Sequence, residues 1–330
     1  MVRKELAVGN VAEAYLALLA ERGIEYLFAN AGTDFAPLVE AFAKAARTGI
    51  PVPQPVLAAH ENLALSMAHG YAMVSRRVPA VMVHVSVGTA NGVCGALNAA
   101  RENVPMLFTA GRSPLTESEL SGARDVYIHW AQEMFDQAGM LREIVKWEYE
   151  LRNGQQLETV IDRALAIATT SPGGPVYLSL PREVLAAPLP GFSCDAPSRR
   201  SAAAPAGPNK DAIAEAARIL AAAENPLVIT ASAGASLPLS ELLPISYSAS
   251  RSRSSNTVRG TFASRQNIPA ISVMMRPRFW TAQTRSSCSN AMCRGSPASR
   301  HPRGIARLSI SASTRCSRVI RSAASHAIWQ

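Results

Sequence analysis

The sequence predicts an α/β fold: a doubly wound parallel sheet with helices on both faces. A linker, a fragment of a second α/β domain and a disordered Ser/Arg-rich tail are expected to follow. Three observations lead there. Short apolar runs bounded by turn residues, such as Ala80-Val81-Met82-Val83-His84-Val85, read as strands buried on both faces. These runs alternate with stretches of helical period, which is the grammar of parallel β-α-β units. The charge is also unevenly spread. Of the net +9, residues 236–330 contribute +13 through 14 Arg against one acidic residue, Glu241, which leaves −4 for residues 1–235. The first 235 residues therefore have the balance of an ordinary mildly acidic globular protein.

Residues 9–22 alternate at helical period, with Val11, Tyr15, Leu18 and Leu19 on one face, and Gly23 stops the helix. Ile24 to Ala29 follows as a short buried strand. Asn30-Ala31-Gly32-Thr33 is a turn in which Gly32 lets the backbone pass close to a ligand. Thr33 or Asp34 is expected to cap the next helix, with Phe35, Leu38, Val39 and Phe42 on its core face. Val56 to Ala59 is an apolar run that ends in His60-Glu61. A helical pattern opens at once, with Leu63, Met67, Gly70, Tyr71 and Val74 at spacings of three and four. In a wound sheet such a strand–helix junction lies where ligands bind. The N–H groups of the helix favour the Glu61 anion. Read locally, Glu61 only caps its own helix.

The strand Ala80–Val85 runs into the small-residue loop Ser86-Val87-Gly88-Thr89-Ala90-Asn91-Gly92, which opens a helix through Asn98. Pro105 to Ala110 reads as a strand, Tyr127 to Ala138 and Leu157 to Thr169 as helices, and Val176 to Leu180 as the last strand of the unit. Residues 187–208, rich in Pro, Ala and Ser, read as a linker. A helix from Lys210 to Ala223 and a strand from Leu227 to Thr230 would begin a central domain over residues 209–235. From 236 onward, 21 of 95 residues are Ser and no period persists.

Five cysteines form no closely spaced framework, and no set of four metal ligands is spaced for a zinc site. The N-terminus lacks a signal-peptide core, and no run is long enough to span a membrane. A cytoplasmic protein, without a membrane partner, is expected.

Several stretches acquire a meaning together. Phe28-Ala29-Asn30-Ala31-Gly32-Thr33-Asp34-Phe35, His60-Glu61-Asn62, Ser86-Val87-Gly88-Thr89-Ala90-Asn91, Gln132-Glu133, and Gly173-Gly174-Pro175-Val176 through Leu180-Pro181-Arg182-Glu183-Val184 occur in the order of one family. The chain resembles the N-terminal pyrimidine-binding domain of thiamine-diphosphate enzymes, acetolactate synthase-like, over about residues 8–186. The resemblance implies a domain at 1–186 that binds the cofactor and a 2-keto acid substrate. It implies that Glu61 is the catalytic carboxylate, hydrogen-bonded to the cofactor's pyrimidine ring nitrogen. It places Gly32 and Asn91 beside the cofactor and Gln132 on the substrate side. Taken alone, Gly32 is a turn glycine, Asn91 a helix cap, Gln132 part of a solvated helix face and His60 a capping histidine. The resemblance also implies transferase or lyase chemistry and a homodimer or tetramer. It leaves open whether FAD is used.

The chain departs from the family in places. Acetolactate synthases usually have Gly-Pro-Gly-Ala-Thr-Asn where this chain has Val87-Gly88-Thr89-Ala90-Asn91, and Pro-Gly where it has Ala31-Gly32. Benzoylformate decarboxylase-like, oxalyl-CoA decarboxylase-like and carboligase chemistry all stay open. The Gly-Asp-Gly motif that holds the diphosphate and Mg²⁺ is expected in a domain this sequence does not contain, so the chain is expected to be truncated and inactive alone. In a shifted reading frame, Arg253 to Phe262 and Ser309 to Ala327 can be read as segments like the family's central domain. Residues 236–330 are therefore expected to be out of frame, with the slip between about Gly234 and Ser248. The alternative is a non-catalytic α/β nucleotide-binding or interaction module whose Arg-rich tail binds nucleic acid through phosphate charge. Nucleic acid is not the expected partner.

Overall fold

The computed structural model describes residues 2–222, 227–229 and 307–309, which fall in two units, Met1–Pro205 and Ala206–Gln330. The expectation for residues 236–330 lies outside the described residues except at Arg307–Ser309.

The first unit opens with β1 (Val2–Glu5) and α1 (Val11–Glu21). Asn10 caps α1: its side chain accepts the Glu13 N–H at 2.9 Å. β2 (Tyr26–Ala29) leads through a 3₁₀ turn, Thr33–Phe35, to α2 (Ala36–Thr48). β3 (Gln54–Leu57), α3 (Glu61–Ser75), β4 (Ala80–Val83), α4 (Val85–Arg101) and β5 (Met106–Arg112) follow. After α5 (Tyr127–Gln132) come β6 (Glu148–Glu150), α6 (Leu157–Thr169), β7 (Pro175–Pro181), α7 (Arg182–Ala186) and β8 (Ser193–Ala196).

Six strands form one parallel sheet in the order β3-β2-β4-β5-β7-β6. Side chains of a strand alternate between faces, and each face has its own core. Ala80, Met82, Leu107, Val176, Leu178 and Leu180 pack with α1, α2 and α6. Val81, Val83, Met106, Phe108, Ala110 and Tyr177 pack with α3 and α4 on the other side. This is the doubly wound sheet with helices on both faces, and the continuous apolar run of β4 is buried throughout.

Several local expectations change. On α2, Phe35 and Leu38 are buried, but Val39 is exposed and Ala41 and Ala45 continue the inner stripe. Neither Thr33 nor Asp34 caps α2, whose first residues carry no side-chain cap. On α3 the inner face is Ala64, Leu65, Ala68 and Ala72, while Leu63, Met67 and Val74 face outward. The reason is close helix packing: a Cβ on Gly95 of α4 would lie 2.6 Å from the Leu65 Cβ, so the α3–α4 contact demands small residues. The expected loop Ser86–Gly92 is already helix. The expected helix Tyr127–Ala138 stops at Gln132.

The stretch 187–208 is also not linker throughout. β8 pairs antiparallel with β1. Phe192 and Cys194 are buried. Arg22 binds Asp162 at 2.5 Å and donates to the Asp195 carbonyl at 2.8 Å, while Glu158 accepts the Asp195 N–H at 2.6 Å. A buried charge needs such partners, and here they fasten the segment to the domain.

In the second unit, α8 (Lys210–Ala222) is helical, and β9 (Leu227–Ile229) pairs in parallel with β10 (Arg307–Ser309).

Candidate functional site

β2 and β4 are neighbours, yet β2 leads to α2 on one face and β4 to α4 on the other. Where adjacent strands exit to opposite faces, a crevice opens at their carboxyl ends, and ligands bind there. The segments after β2, β3 and β4 carry Gly32 and Asp34, Glu61, and His84.

Glu61 is the first residue of α3. The cap itself is His60, whose Nδ1 accepts the Asn62 N–H at 3.1 Å. Glu61 is thus free of capping duty. It is 8% exposed, and its Oε2 accepts from Asn91 Nδ2 at 3.1 Å. Oε1 has no hydrogen-bond partner among the described residues. Asn91 lies well inside α4, so it is no helix cap. The structure therefore brings Glu61 and Asn91 together: a mostly buried carboxylate at a helix N-terminus, one oxygen held and the other uncommitted. That donor set fits an aminopyrimidine, whose ring nitrogen could share a proton with Oε1.

Gly32 lies against His84. Its φ of −132° suits any residue. A Cβ there would lie 2.1 Å from His84 Nδ1, so the glycine makes room for the imidazole. Gly111, in β5, does the same for Asp34, whose Oδ2 would lie 1.7 Å from an added Cβ.

Asp34 and His84 are the pair that the sequence reading missed. Asp34 is 3% exposed. Its Oδ1 stands 2.5 Å from His84 Nδ1, and its Oδ2 accepts the Val85 N–H at 3.3 Å. The pair spans a strained bend, since Val85 has φ +30°, a region that β-branched residues avoid. The hydrogen bond to Asp34 is the main cause that raises the His84 pKa above its usual value, against the opposing effect of burial; Asp34's charge and Glu61's charge add to the rise. An acceptor at Nδ1 directs the other nitrogen, Nε2, toward Gln132, whose Nε2 lies 3.4 Å away. Gln132 is the last residue of α5 and is fixed through its backbone, because its carbonyl accepts from Ser86 Oγ at 2.6 Å. The four expected residues thus form two groups, Glu61 with Asn91 and Gly32 with Gln132, and His84 stands between the latter two. The missed signal was a histidine closing a buried apolar strand, since a polar ring there needs a partner.

Residues 9–140 match the family described as thiamine pyrophosphate enzyme, N-terminal TPP binding domain. Benzoylformate decarboxylase of Pseudomonas aeruginosa is 26% identical over 220 residues, 67% of this chain and 39% of the relative. Acetolactate synthase large subunit of Lactococcus lactis is 32% identical over 169 residues, 51% of this chain and 27% of the relative. A solved thiamine diphosphate-dependent 4-hydroxybenzoylformate decarboxylase from Rhodococcus jostii superposes with a TM-score of 0.55 at 25% identity, over 68% of this chain and 40% of that one. The chain thus spans well under half the length of these relatives. The order of the strands and these likenesses agree: residues 9–140, within the first unit, are similar to the N-terminal pyrimidine-binding domain of thiamine-diphosphate-dependent enzymes, and support that family for this part of the chain.

Proposed function

We propose that this chain supplies the pyrimidine half of the active site of a 2-keto acid decarboxylase or carboligase, acetolactate synthase-like or benzoylformate decarboxylase-like. The observation that carries the reading is the Glu61 carboxylate, held through Oε2 by Asn91 with Oε1 uncommitted. When bound, thiamine diphosphate supplies the electron sink for cleaving the bond beside a keto group. Glu61 hydrogen-bonds the pyrimidine ring nitrogen and holds or releases a proton there. Asn91 fixes the carboxylate's rotamer. His84, its Nδ1–H held by Asp34, offers Nε2 as a proton acceptor on the substrate side, and the Gln132 amide steers that nitrogen. Mg²⁺ and any FAD enter the proposal only through the likeness to relatives.

The exposed apolar residues Leu63 and Met67 of α3 and Val87 and Leu97 of α4 support a homodimer or tetramer, in which a second copy covers this surface. No helix among the described residues is long and apolar enough to cross a membrane. The free thiols Cys94 and Cys194 suit a cytoplasmic location, which is part of the proposal.

The test is calorimetric titration of the chain with thiamine, which carries the pyrimidine without the diphosphate. Binding weakened about tenfold in Glu61→Gln, the size expected for a lost charge-assisted hydrogen bond, supports the reading. Equal affinity in the two proteins removes Glu61 from the cofactor site.

A further inference from the structure

A cleft beside the Asp34–His84 pair is lined by Thr33, Ser113, Arg112, His129, Gln132 and Arg182, among others. It measures about 210 Å³ with its open mouth, and its enclosed part has room for about one oxygen atom. Eight buried side-chain polar atoms lack a hydrogen-bond partner among the described residues. Four of them belong to this lining: Arg112 Nε, His129 Nδ1, and Arg182 Nε and Nη1.

All four are donors. His129 is 5% exposed, and its Nε2 is 2.9 Å from Arg124 Nη1. A guanidinium can only donate, so His129 Nε2 accepts and the ring proton sits on Nδ1. The remaining charges are mostly engaged. Arg112 pairs through its terminal nitrogens with Glu133 and Glu150. Asp34 is committed to His84 and Val85. Glu183 spends Oε1 on the Leu115 and Thr116 N–H groups and the Thr116 hydroxyl, while its buried Oε2 has no partner among the described residues. Arg182 has no ion pair among the described residues. Burial, and then the nearby Arg124, act against its charge and lower its pKa on balance, while Glu183 and Asp34 favour the charge. Buried donors without acceptors are costly, and they mark the place where an acceptor belongs.

We propose that this cleft seats a carboxylate that the substrate keeps through the reaction. The assignment rests on the 2-keto acid reading above for the word substrate, and on the four donors for the word carboxylate. A carboxylate lost as carbon dioxide sheds its charge in the transition state. Donors fixed on it would stabilise the ground state more and slow the reaction. Arg182, His129 and Arg112 therefore recognise the other acid group, one carried by a dicarboxylic 2-keto acid or by an acceptor acid. One carboxylate oxygen would fill the enclosed part among these donors, with the rest of the acid in the open mouth.

The experiment uses the full chain without thiamine. Glutarate and its diamide, glutaramide, are titrated separately and followed by the ¹⁵N signals of the histidine rings and by calorimetry. Glutarate should bind and shift the His129 Nδ1 resonance, and the diamide should bind at least tenfold more weakly. Arg182→Gln should lower glutarate affinity at least tenfold while thiamine affinity is unchanged. Equal affinity for acid and diamide, or absence of glutarate binding, overturns the proposal even where thiamine still binds. Glutarate binding with thiamine binding lost would instead leave this site standing and remove the cofactor reading. The acid–amide comparison needs no variant, so an unstable Arg182→Gln protein does not spare the proposal.

Discussion

Asp34, in the 3₁₀ turn after β2, and His84, just past β4, meet at 2.5 Å in space kept clear by two glycines, Gly32 and Gly111. The contact ties the exits of two neighbouring strands across the crevice. It also holds the strained Val85 bend, whose N–H the same carboxylate accepts.

Asp34→Asn should lower the His84 pKa, because the hydrogen bond to Asp34 is the first cause that raises it. The sign for stability follows. A histidine with a raised folded pKa stabilises most below its unfolded value of about 6.5, and that contribution is lost as pH rises through the folded pKa. The stability gap between wild type and Asp34→Asn should therefore be widest at acid pH within the folded range and shrink at alkaline pH. Histidine-resolved NMR titration and urea denaturation at several pH values check both. An unchanged His84 midpoint would show that Asp34 does not set it.

Gly111→Ala and Gly32→Ala should each destabilise the chain by about 1–3 kcal/mol, since an added methyl must push Asp34 or His84 aside. Gly70→Ala is the control. Gly70 lies within α3 on an exposed face with nothing within 4 Å of an added Cβ. There alanine should stabilise by up to about 1 kcal/mol through helix propensity. Urea midpoints at constant slope decide; destabilisation at Gly70 equal to that at Gly111 would mean the cost is not steric.

The sequence shows the alternation of strands and helices because β4 and β7 are buried on both faces and read as unbroken apolar runs. It hides the inner face of α3, because Ala64, Ala68 and Ala72 carry little hydrophobic signal while the outward Leu63 and Met67 carry much. Exposed leucine and methionine at helical spacing therefore point a periodicity reading to the wrong face. β8 was hidden for another reason: the Arg22 pairing that orders it spans residues 173 apart in sequence. Glu61 was visible from its place between a strand and a helix. Asp34 was not, because a carboxylate at the start of a helix reads as a cap until its partner, 50 residues on, is located.

Met67→Glu should abolish self-association of the chain, if a second copy covers the outward face of α3. Met67 is 37% exposed, so a charge there should cost the folded monomer little. Sedimentation velocity over a range of concentrations reads the result. A wild-type chain that stays monomeric, or a variant that associates equally, would place the subunit contact elsewhere.

The last prediction concerns the gene and Glu61 together. The Ser/Arg bias of residues 236–330, with a single acidic residue, is what a GC-rich coding strand gives out of frame. If the frame slips between about codons 234 and 248, inserting or deleting the base that restores it should extend the reading frame past codon 330. The extended protein should then acquire a Gly-Asp-Gly motif with a downstream Asn and bind thiamine diphosphate with Mg²⁺. In that protein Glu61→Gln keeps the size and the Asn91 contact but removes the charge beside the pyrimidine. Asn91 can still reach the Gln carbonyl oxygen, so folding should change little. Proton exchange at the cofactor's thiazolium carbon should slow by about 10²–10⁴-fold, the usual cost of losing general acid–base help. Deuterium exchange quenched by acid and read by NMR measures it. A restored frame with equal exchange rates would leave the domain in place and take its proton chemistry away from Glu61; a resequenced gene with no such frame would keep the tail as written.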